Sequence, residues 1–376
     1  MIHKNKSLRL SIFIHLIKSL YSYFLKIDTR YKILQNLKDY GIIWNQDEKK
    51  IFVEDLKEAQ KKLAEQTNLK GKEYYNKVQK FLAQPEDIDI TKIDPYLVIV
   101  EQKAEHKRLW AYAISFWSIP VTVGYGRRIR YFVFDRQNDK LIGIFGLCDP
   151  IIGLGVRDKF IGWTKEQKKQ RLYNCMTAYI LGAIPPYNEV LGTKLIALSL
   201  MFPQVRKHFY QKYKDSPSVI TGINKKPYLV YIDTLAAFGK TAIYNHVINW
   251  DFIDYTKGQS HLHITANGSW ELIKNVVPEE VFSTYKFGNG PNWKMRILKR
   301  GLRELNLSEE MLSIGWQRGY YCCPLAENWQ QYLLDNTNKV IWKNFTKQDL
   351  VNYWYEKWVN PRLDNLQSKL KSYTNS

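Results

Sequence analysis

Hydrophobic and polar positions change their pattern near residue 95. Before this point, charged segments with a helical pattern cover residues 31–40, 54–66 and 72–82. The first segment ends at Gly41, a common helix-stop residue, and Pro85 opens an acidic stretch with the composition of a linker. The pattern therefore predicts a helical N-terminal module over residues 1–95.

From residue 96 onward, apolar runs of strand length alternate with helical patterns. The strand-like runs are residues 96–101, 130–134, 141–147, 228–232 and 261–264, and residues 173–181 fit either a helix or a strand. Because residues 136–139 are turn formers, the second and third runs predict a β-hairpin. Helical patterns cover residues 190–201, 236–247, 293–305 and the tail from about residue 347.

This alternation predicts an α+β fold with a central mixed β-sheet and flanking helices. We place the α/β core at residues 96–305 and a C-terminal helical extension at residues 306–376. Two strand-to-helix junctions, at residues 186–194 and 233–245, resemble the coenzyme A cradle of GNAT-type acetyltransferases, so a GNAT-like core is one form of the prediction. Glu189 and Lys194 depart from that family's loop pattern.

Net charge adds a candidate partner. The chain has 56 Lys and Arg against 36 Asp and Glu, a formal net charge of +20 at pH 7. Such a surplus repels itself unless a polyanion is near, and nucleic acid is the commonest one because each neutralised phosphate releases counterions. The charge therefore predicts a DNA partner, with a merely basic surface as the alternative.

Cysteine usage and the N-terminal pattern predict a cytoplasmic protein without membrane attachment. The four cysteines form no CxxC pair, so a zinc ribbon is not indicated and reduced thiols are expected. Residues 11–25 are apolar, but His15 and Lys18 interrupt the run and no small-residue cleavage site follows. Because the run is also too short to span a bilayer, we expect an amphipathic helix.

Four residues are candidates for a catalytic centre. Asp149 and Asp158 lie in one loop, and two carboxylates there suit a divalent cation of the kind that DNA-processing enzymes use. His261 and His263 share one face of a predicted strand, which suits metal binding or acid–base chemistry. The alternatives are ion pairs or helix caps for the carboxylates, and buried, hydrogen-bonded histidines. The cofactor is left open, with a divalent metal as one option.

A second set of residues is predicted to bind phosphates. Three arginines follow a glycine turn at the start of the hairpin, and residues 287–296 form a turn that leads into a basic helix. The two strand-to-helix junctions offer backbone N–H groups with a lysine nearby. The full set is Arg127, Arg128, Arg130, Arg157, Lys194, Lys240, Trp293, Lys294, Arg296 and Arg300. A solvated strand edge and ordinary surface loops are the alternatives.

Seven segments carry a family resemblance. They are WSIPVTVGYGRRIRYFVFD (117–135), LIGIFGLCDP (141–150), RDKFIGW (157–163), LGAIPPYNEVLGTKL (181–195), AIYNHV (242–247), HLHI (261–264) and GNGPNWKMR (288–296). In this order they resemble the DruA family of Druantia anti-phage defence systems over about residues 95–330. Two positions depart from the family pattern, Thr193 and Ser260, where glycine is expected.

The resemblance implies a part in anti-phage defence beside a large helicase-like protein. Our first hypothesis is therefore a DNA-binding or DNA-processing component of such a system. Related proteins are also carried by mobile elements, so a transposase-like protein is one alternative. A GNAT-like acyltransferase that acts on a small molecule or a protein is another.

Overall fold

The computed structural model describes residues 2–124, 126–217, 222–285 and 293–373. The chain forms two compact units. Unit 1 consists of Met1–Gln66, Ser118–Pro120 and Lys257–Trp316, and unit 2 of Thr67–Trp117, Val121–Thr256 and Gln317–Ser376. The predicted division of the sequence at residues 95 and 305 stays a prediction.

Helices and strands alternate along the described residues. The strands are β1 (Ile42–Asn45), β2 (Lys50–Val53), β3 (Pro95–Ile99), β4 (Arg128–Asp135), β5 (Lys140–Cys148), β6 (Cys175–Ala183), β7 (Tyr231–Ala236), β8 (Asp251–Lys257) and β9 (Gln317–Pro324). The helices before β7 are α1 (Ile2–Asp39), α2 (Leu56–Asn68), α3 (Tyr75–Val78), α4 (Ala104–Ile114), α5 (Gly155–Ile161), α6 (Lys165–Arg171), α7 (Gly192–Ser199) and α8 (Pro203–Tyr213). The later helices are α9 (Leu262–Thr265), α10 (Ser269–Val276), α11 (Glu279–Tyr285), α12 (Trp293–Glu304), α13 (Trp329–Leu333), α14 (Lys347–Trp354) and α15 (Leu363–Ser372).

Unit 1 packs helices around a small apolar core. Leu37 of α1, Ile273 of α10 and Leu302 of α12 belong to this core and are almost completely buried. The apolar side chains of α1 between Phe13 and Ile27 are instead exposed, so the predicted helix is present but its apolar positions do not form a buried face. Among the residues that the structure describes, no helix is long and apolar enough to cross a membrane.

Unit 2 is built on a seven-stranded mixed sheet with the strand order β3-β4-β5-β6-β7-β9-β8. Strands β3 to β6 are antiparallel neighbours, whereas β6 and β7 run parallel and pair only from Cys175↔Tyr231 to Thr177↔Asp233. Helices α7 and α8 connect β6 to β7, and their apolar residues pack into the largest core with Phe145 and Trp354. The predicted α+β class with a mixed central sheet is confirmed.

Local patterns predicted some elements correctly and others wrongly. The hairpin of β4 and β5 and the basic helix α12 are confirmed, and most of the run at residues 173–181 belongs to the strand β6 (Cys175–Ala183). The helix predicted at 236–247 is wrong, because β7 ends at Ala236 and a turn with Gly239 at φ +79° follows. The strand predicted at 261–264 is also wrong, since α9 begins there. A short apolar run is compatible with a helix and with a strand, and tertiary contacts determine which of the two forms.

Candidate nucleic-acid interface and buried charge cluster

A glycine turn positions the start of β4 against Asp149. Gly126 has φ +53°, and a Cβ atom there would lie 2.2 Å from Oδ2 of Asp149. This carboxylate accepts hydrogen bonds from the backbone N–H of Arg127 at 2.9 Å and from its Nε at 2.8 Å. Asp149, a predicted catalytic residue, therefore forms an ion pair with Arg127 that holds the turn in place. An ion pair was the alternative interpretation given for this carboxylate.

Arg127 is enclosed by aromatic rings. Its guanidinium carbon lies 4.0 Å from the ring centroid of Tyr173 and 5.3 Å from that of Tyr213. Its Nη2 also donates to the carbonyl oxygen of Tyr173 at 2.8 Å, and only 14% of the side chain is exposed. Arg127 is therefore held below the surface by its aromatic neighbours and by its ion pair with Asp149.

Arg128 and Arg130 lie nearer to solvent. Nη1 of Arg128 and Nη2 of Arg130 donate to the carbonyl oxygen of Val123, and Nε of Arg130 donates to the hydroxyl of Tyr179 at 2.8 Å. Arg128 is exposed and Arg130 is half-buried. Neither forms a salt bridge with an acid among the described residues. Both arginines therefore keep a charge that is open to an anion.

Further lysines lie against the start of β4 and the end of α6. Nζ of Lys212 in α8 donates to the carbonyl oxygen of Arg128 at 2.8 Å. Nζ of Lys225 donates to the carbonyl oxygen of Lys169 at 2.7 Å. We call the set Arg127, Arg128, Lys169, Arg171, Lys212 and Lys225 the cationic surface. Backbone carbonyls, and not carboxylates, hold Lys212 and Lys225.

The cations of this surface act on one another. Burial lowers the pKa of Lys212, and the charge of Arg128 lowers it further. Burial likewise lowers the pKa of Lys225, with added contributions from Arg171, Lys169 and Arg127. Arg171 pairs with Asp335 and Arg127 with Asp149, so acids compensate only part of the charge. A polyanion that bound here would relieve the remaining repulsion.

Arg157, predicted to bind nucleic acid, is completely buried in unit 2. Its Nη2 donates to Oδ1 of Asp158 at 3.0 Å and to the carbonyl oxygen of Ile152 at 3.2 Å. Its Nη1 lies 3.8 Å from Oδ2 of Asp233 in β7. Because the guanidinium has no exposed surface, Arg157 is placed for internal charge compensation and not for contact with a phosphate.

Asp233 is the acid at the centre of this buried charge cluster. It is 1% exposed and accepts hydrogen bonds from the hydroxyl of Thr177 and, at 3.2 Å, from that of Tyr320 in β9. The hydroxyls of Tyr320 and Tyr231 are hydrogen-bonded at 2.9 Å. Burial raises the pKa of Asp233, whereas the charge of Arg157 acts in the opposite direction. The cluster thus joins α5, β6, β7 and β9.

Asp158, the second predicted catalytic carboxylate, lies at the edge of the same cluster. Besides Arg157, it accepts from Nε1 of Trp163 at 3.0 Å and from Nζ of Lys168 at 2.8 Å. Burial alone would raise the pKa of Asp158, but Lys168 and Arg157 bring it below its usual value. Asp158 is therefore an ionised acid whose carboxylate accepts hydrogen bonds from three side chains.

Lys194 and Lys240, from the two predicted anion-binding junctions, differ in exposure. Lys194 is 9% exposed, and its Nζ donates to the carbonyl oxygens of Ala242 and Asn245. Burial, with the charges of Lys357 and Arg362, lowers its pKa to about 8. Lys240 is exposed. Of the two, only Lys240 is free to reach a large ligand.

At the start of α7, in the strand-to-helix junction at residues 186–194, backbone N–H groups already donate hydrogen bonds within the chain. The N–H of Gly192 donates to the carbonyl oxygen of Tyr187 at 2.9 Å, and that of Lys194 to Leu191 at 3.0 Å. Nε1 of Trp354 donates to the same Leu191 carbonyl oxygen. Internal contacts therefore occupy the groups that the GNAT-like alternative assigns to a cofactor.

Helix α12 in unit 1 carries the remaining predicted cations. Nζ of Lys294 lies 4.9 Å from the ring centroid of Trp270, which also contacts Trp293. Arg296 lies over the ring of Tyr285, while Arg300 forms a salt bridge with Glu304 at 2.6 Å. Acids thus neutralise part of this helix, and the predicted turn before it, residues 286–292, lies outside the described residues.

His261 and His263, the predicted acid–base pair, belong to unit 1, whereas Asp149 and Asp158 belong to unit 2. His263 is 2% exposed, and its Nε2 is hydrogen-bonded to the carbonyl oxygen of Met311 at 2.7 Å. Burial lowers the pKa of both histidines to about 4. Within the described residues, no group of three or more His, Cys, Asp or Glu side chains is placed to hold a metal ion.

Sequence reasoning missed several residues of these sites. Asp233 and Tyr320 are separated by 87 positions, and no local pattern connects them. No sequence pattern distinguishes Lys212 and Lys225 from the other lysines of the chain, and only the fold brings them to β4 and α6. An isolated acid inside the apolar run of β7 was the one signal available for Asp233.

Comparison with known proteins tests the family resemblance that the seven segments of the sequence carry. The family model described as Druantia protein DruA matches residues 46–335. The chain belongs to the DruA family. A Druantia protein DruA from Escherichia coli (strain UMEA 4076-1) is 38% identical over 259 residues, which are 67% of this chain and 64% of that protein. The family member described here thus spans less than two thirds of that relative's length. No solved structure matches the chain.

Proposed function

We propose that this DruA-family protein is a DNA-binding component of a Druantia-type anti-phage defence system. The observation that carries the DNA-binding part is the cationic surface. Carbonyl oxygens hold Lys212 and Lys225, and burial together with neighbouring cations lowers the pKa of both. Family membership supports the defence part. Partners would then include other proteins of the system, among them a helicase-like one, and the place of action would be the cytoplasm.

The first experiment measures how duplex DNA binding depends on salt. Each phosphate contact contributes about −0.9 to the slope of log K against log salt concentration. Replacing Lys212 and Lys225 together by Gln should therefore make the slope shallower by about 1.8 and weaken binding. Fluorescence anisotropy with a labelled duplex, measured over a series of NaCl concentrations, gives both quantities.

A matched control removes the same charge elsewhere in unit 2. Lys369 and Lys371 are exposed cations of α15, which does not contribute to the cationic surface. The variant Lys369→Gln/Lys371→Gln should keep the native slope. Salt-independent binding, no binding, or an equal loss in the control would overturn the proposal. In cells carrying the complete system, the Lys212/Lys225 variant should also lose protection in a phage plating assay.

The alternatives have separate tests. Because backbone contacts already occupy the start of α7, a GNAT-like acyltransferase has less support, and heat on calorimetric titration with acetyl-coenzyme A would favour it. Terminal repeats flanking the gene would favour the transposase-like hypothesis. A metal-dependent DNA-processing activity is a further alternative, and duplex cleavage that EDTA abolishes would favour it.

A further inference from the structure

A pocket of about 340 Å³ opens beside α8. Three aromatic residues line it: Tyr210, Tyr228 and Trp342. The rings of Tyr210 and Tyr228 are stacked, with centroids 5.9 Å apart and planes 16° apart, and Trp342 meets Tyr228 edge-on at 6.0 Å. Tyr210 is 43% exposed, so an aromatic ring is available to a ligand. Base stacking needs such ring faces and tolerates any base.

Arg206 adds an unpaired polar group to this pocket. Its guanidinium carbon lies 4.5 Å from the ring centroid of Trp342. Its Nη1 is buried and has no hydrogen-bond partner among the described residues, and burial lowers the pKa of the side chain. An unsatisfied buried donor is costly, so a ligand that offers an acceptor is favoured. Keto oxygens and ring nitrogens of nucleobases are such acceptors.

The pocket is continuous in sequence with the cationic surface. Lys207 lines the pocket, and Lys212 follows five residues later on the same helix. Lys225 immediately precedes Lys226 and Pro227, and Pro227 and Tyr228 both line the pocket. Sequence neighbours of Lys212 and Lys225 therefore line a base-sized recess, and these flanking charges favour a polyanion over an apolar peptide as its ligand.

From this geometry we infer that the pocket holds one unstacked base of single-stranded DNA whose backbone the cationic surface binds. The inference rests on the proposed DNA binding and specifies the form of DNA. In a duplex both faces of each base are covered by its neighbours, so only an unpaired, unstacked base reaches the ring of Tyr210. Arg206 then donates to an acceptor on that base.

The test compares single-stranded and duplex DNA with the full-length protein. The probe is a twelve-nucleotide strand with one 2-aminopurine, whose fluorescence reports unstacking and restacking, alone or annealed to its complement. Tyr210→Ser should weaken single-strand binding about 5- to 150-fold and leave duplex affinity unchanged. Arg206→Lys, which keeps the charge but loses the planar donor, should weaken single-strand binding without changing the salt slope.

Tyr75→Ser is the matched control, because Tyr75 is a tyrosine of unit 2 with 44% exposure and does not line the pocket. It should change neither binding constant. Duplex binding with no effect of Tyr210→Ser on the single strand would overturn the inference alone and leave the pocket to a peptide ligand. Absence of binding to both forms of DNA would overturn the proposed function together with this inference.

Discussion

Removing Asp233 tests whether the buried charge cluster holds unit 2 together. In Asp233→Ala, the hydroxyls of Thr177 and Tyr320 lose their acceptor, and Arg157 loses an acid 3.8 Å from its Nη1. Because Arg157 is completely buried, solvent does not compensate the lost charge. We therefore expect a large loss of stability in a fold that is otherwise intact.

The magnitude follows from what remains in the cluster. Breaking a buried ion pair by removing one partner costs about 3–5 kcal/mol. Asp158 still pairs with Arg157, so the expected loss lies near the lower end, at about 3 kcal/mol. For a unit of this size, each kcal/mol lowers Tm by about 2–4 °C, which gives a fall of about 6–12 °C.

Thermal unfolding followed by circular dichroism measures this fall, and a double-mutant cycle assigns its cause. Arg157→Met removes the cation, so Asp233→Ala should cost less in that background than in the native chain. We expect a coupling free energy above about 1 kcal/mol between the two positions. Additive effects, or a Tm within about 2 °C of the native value for Asp233→Ala, would refute the reasoning.

Three further predictions concern packing, pH and thiols. A Cβ at Gly71 would lie 2.0 Å from the carbonyl oxygen of Ala111, so Gly71→Ala should cost about 1–3 kcal/mol or more in urea unfolding, whereas Gly153→Ala, with open space around it, should stay within about 0.5 kcal/mol. The pKa of His263 is about 4 in the fold and about 6.5 in an unfolded chain, so the unfolded chain takes up the proton first. The stability of unit 1 should therefore fall as pH drops from about 6.5 to 4. His263→Gln should make that dependence shallower in thermal melts, with the similarly shifted His261 accounting for the remainder, and an unchanged slope would contradict it. All four cysteines are buried, so Ellman's reagent should react with them only after denaturant is added, and rapid reaction of the native protein would argue against this packing.

The sequence by itself determined the features that depend on neighbouring residues and on composition. The net charge of +20, the hairpin of β4 and β5, the helix α12 and the set of family segments all follow from the printed sequence. These features are local because turn formers, helical periodicity and short motifs act within one stretch of chain. They were sufficient to predict the fold class and the DruA family.

Only the tertiary structure decided which charges are available. It inserted β9 between β7 and β8, buried Arg157 against Asp233, and brought Lys212 to the carbonyl oxygen of Arg128, 84 positions away. Local periodicity carries no information about such pairs, because their contact depends on which strands become neighbours in the sheet. The same basic residue type therefore serves as an internal counter-charge in one place and as an open cation in another, and burial together with pairing to acids separates the two roles.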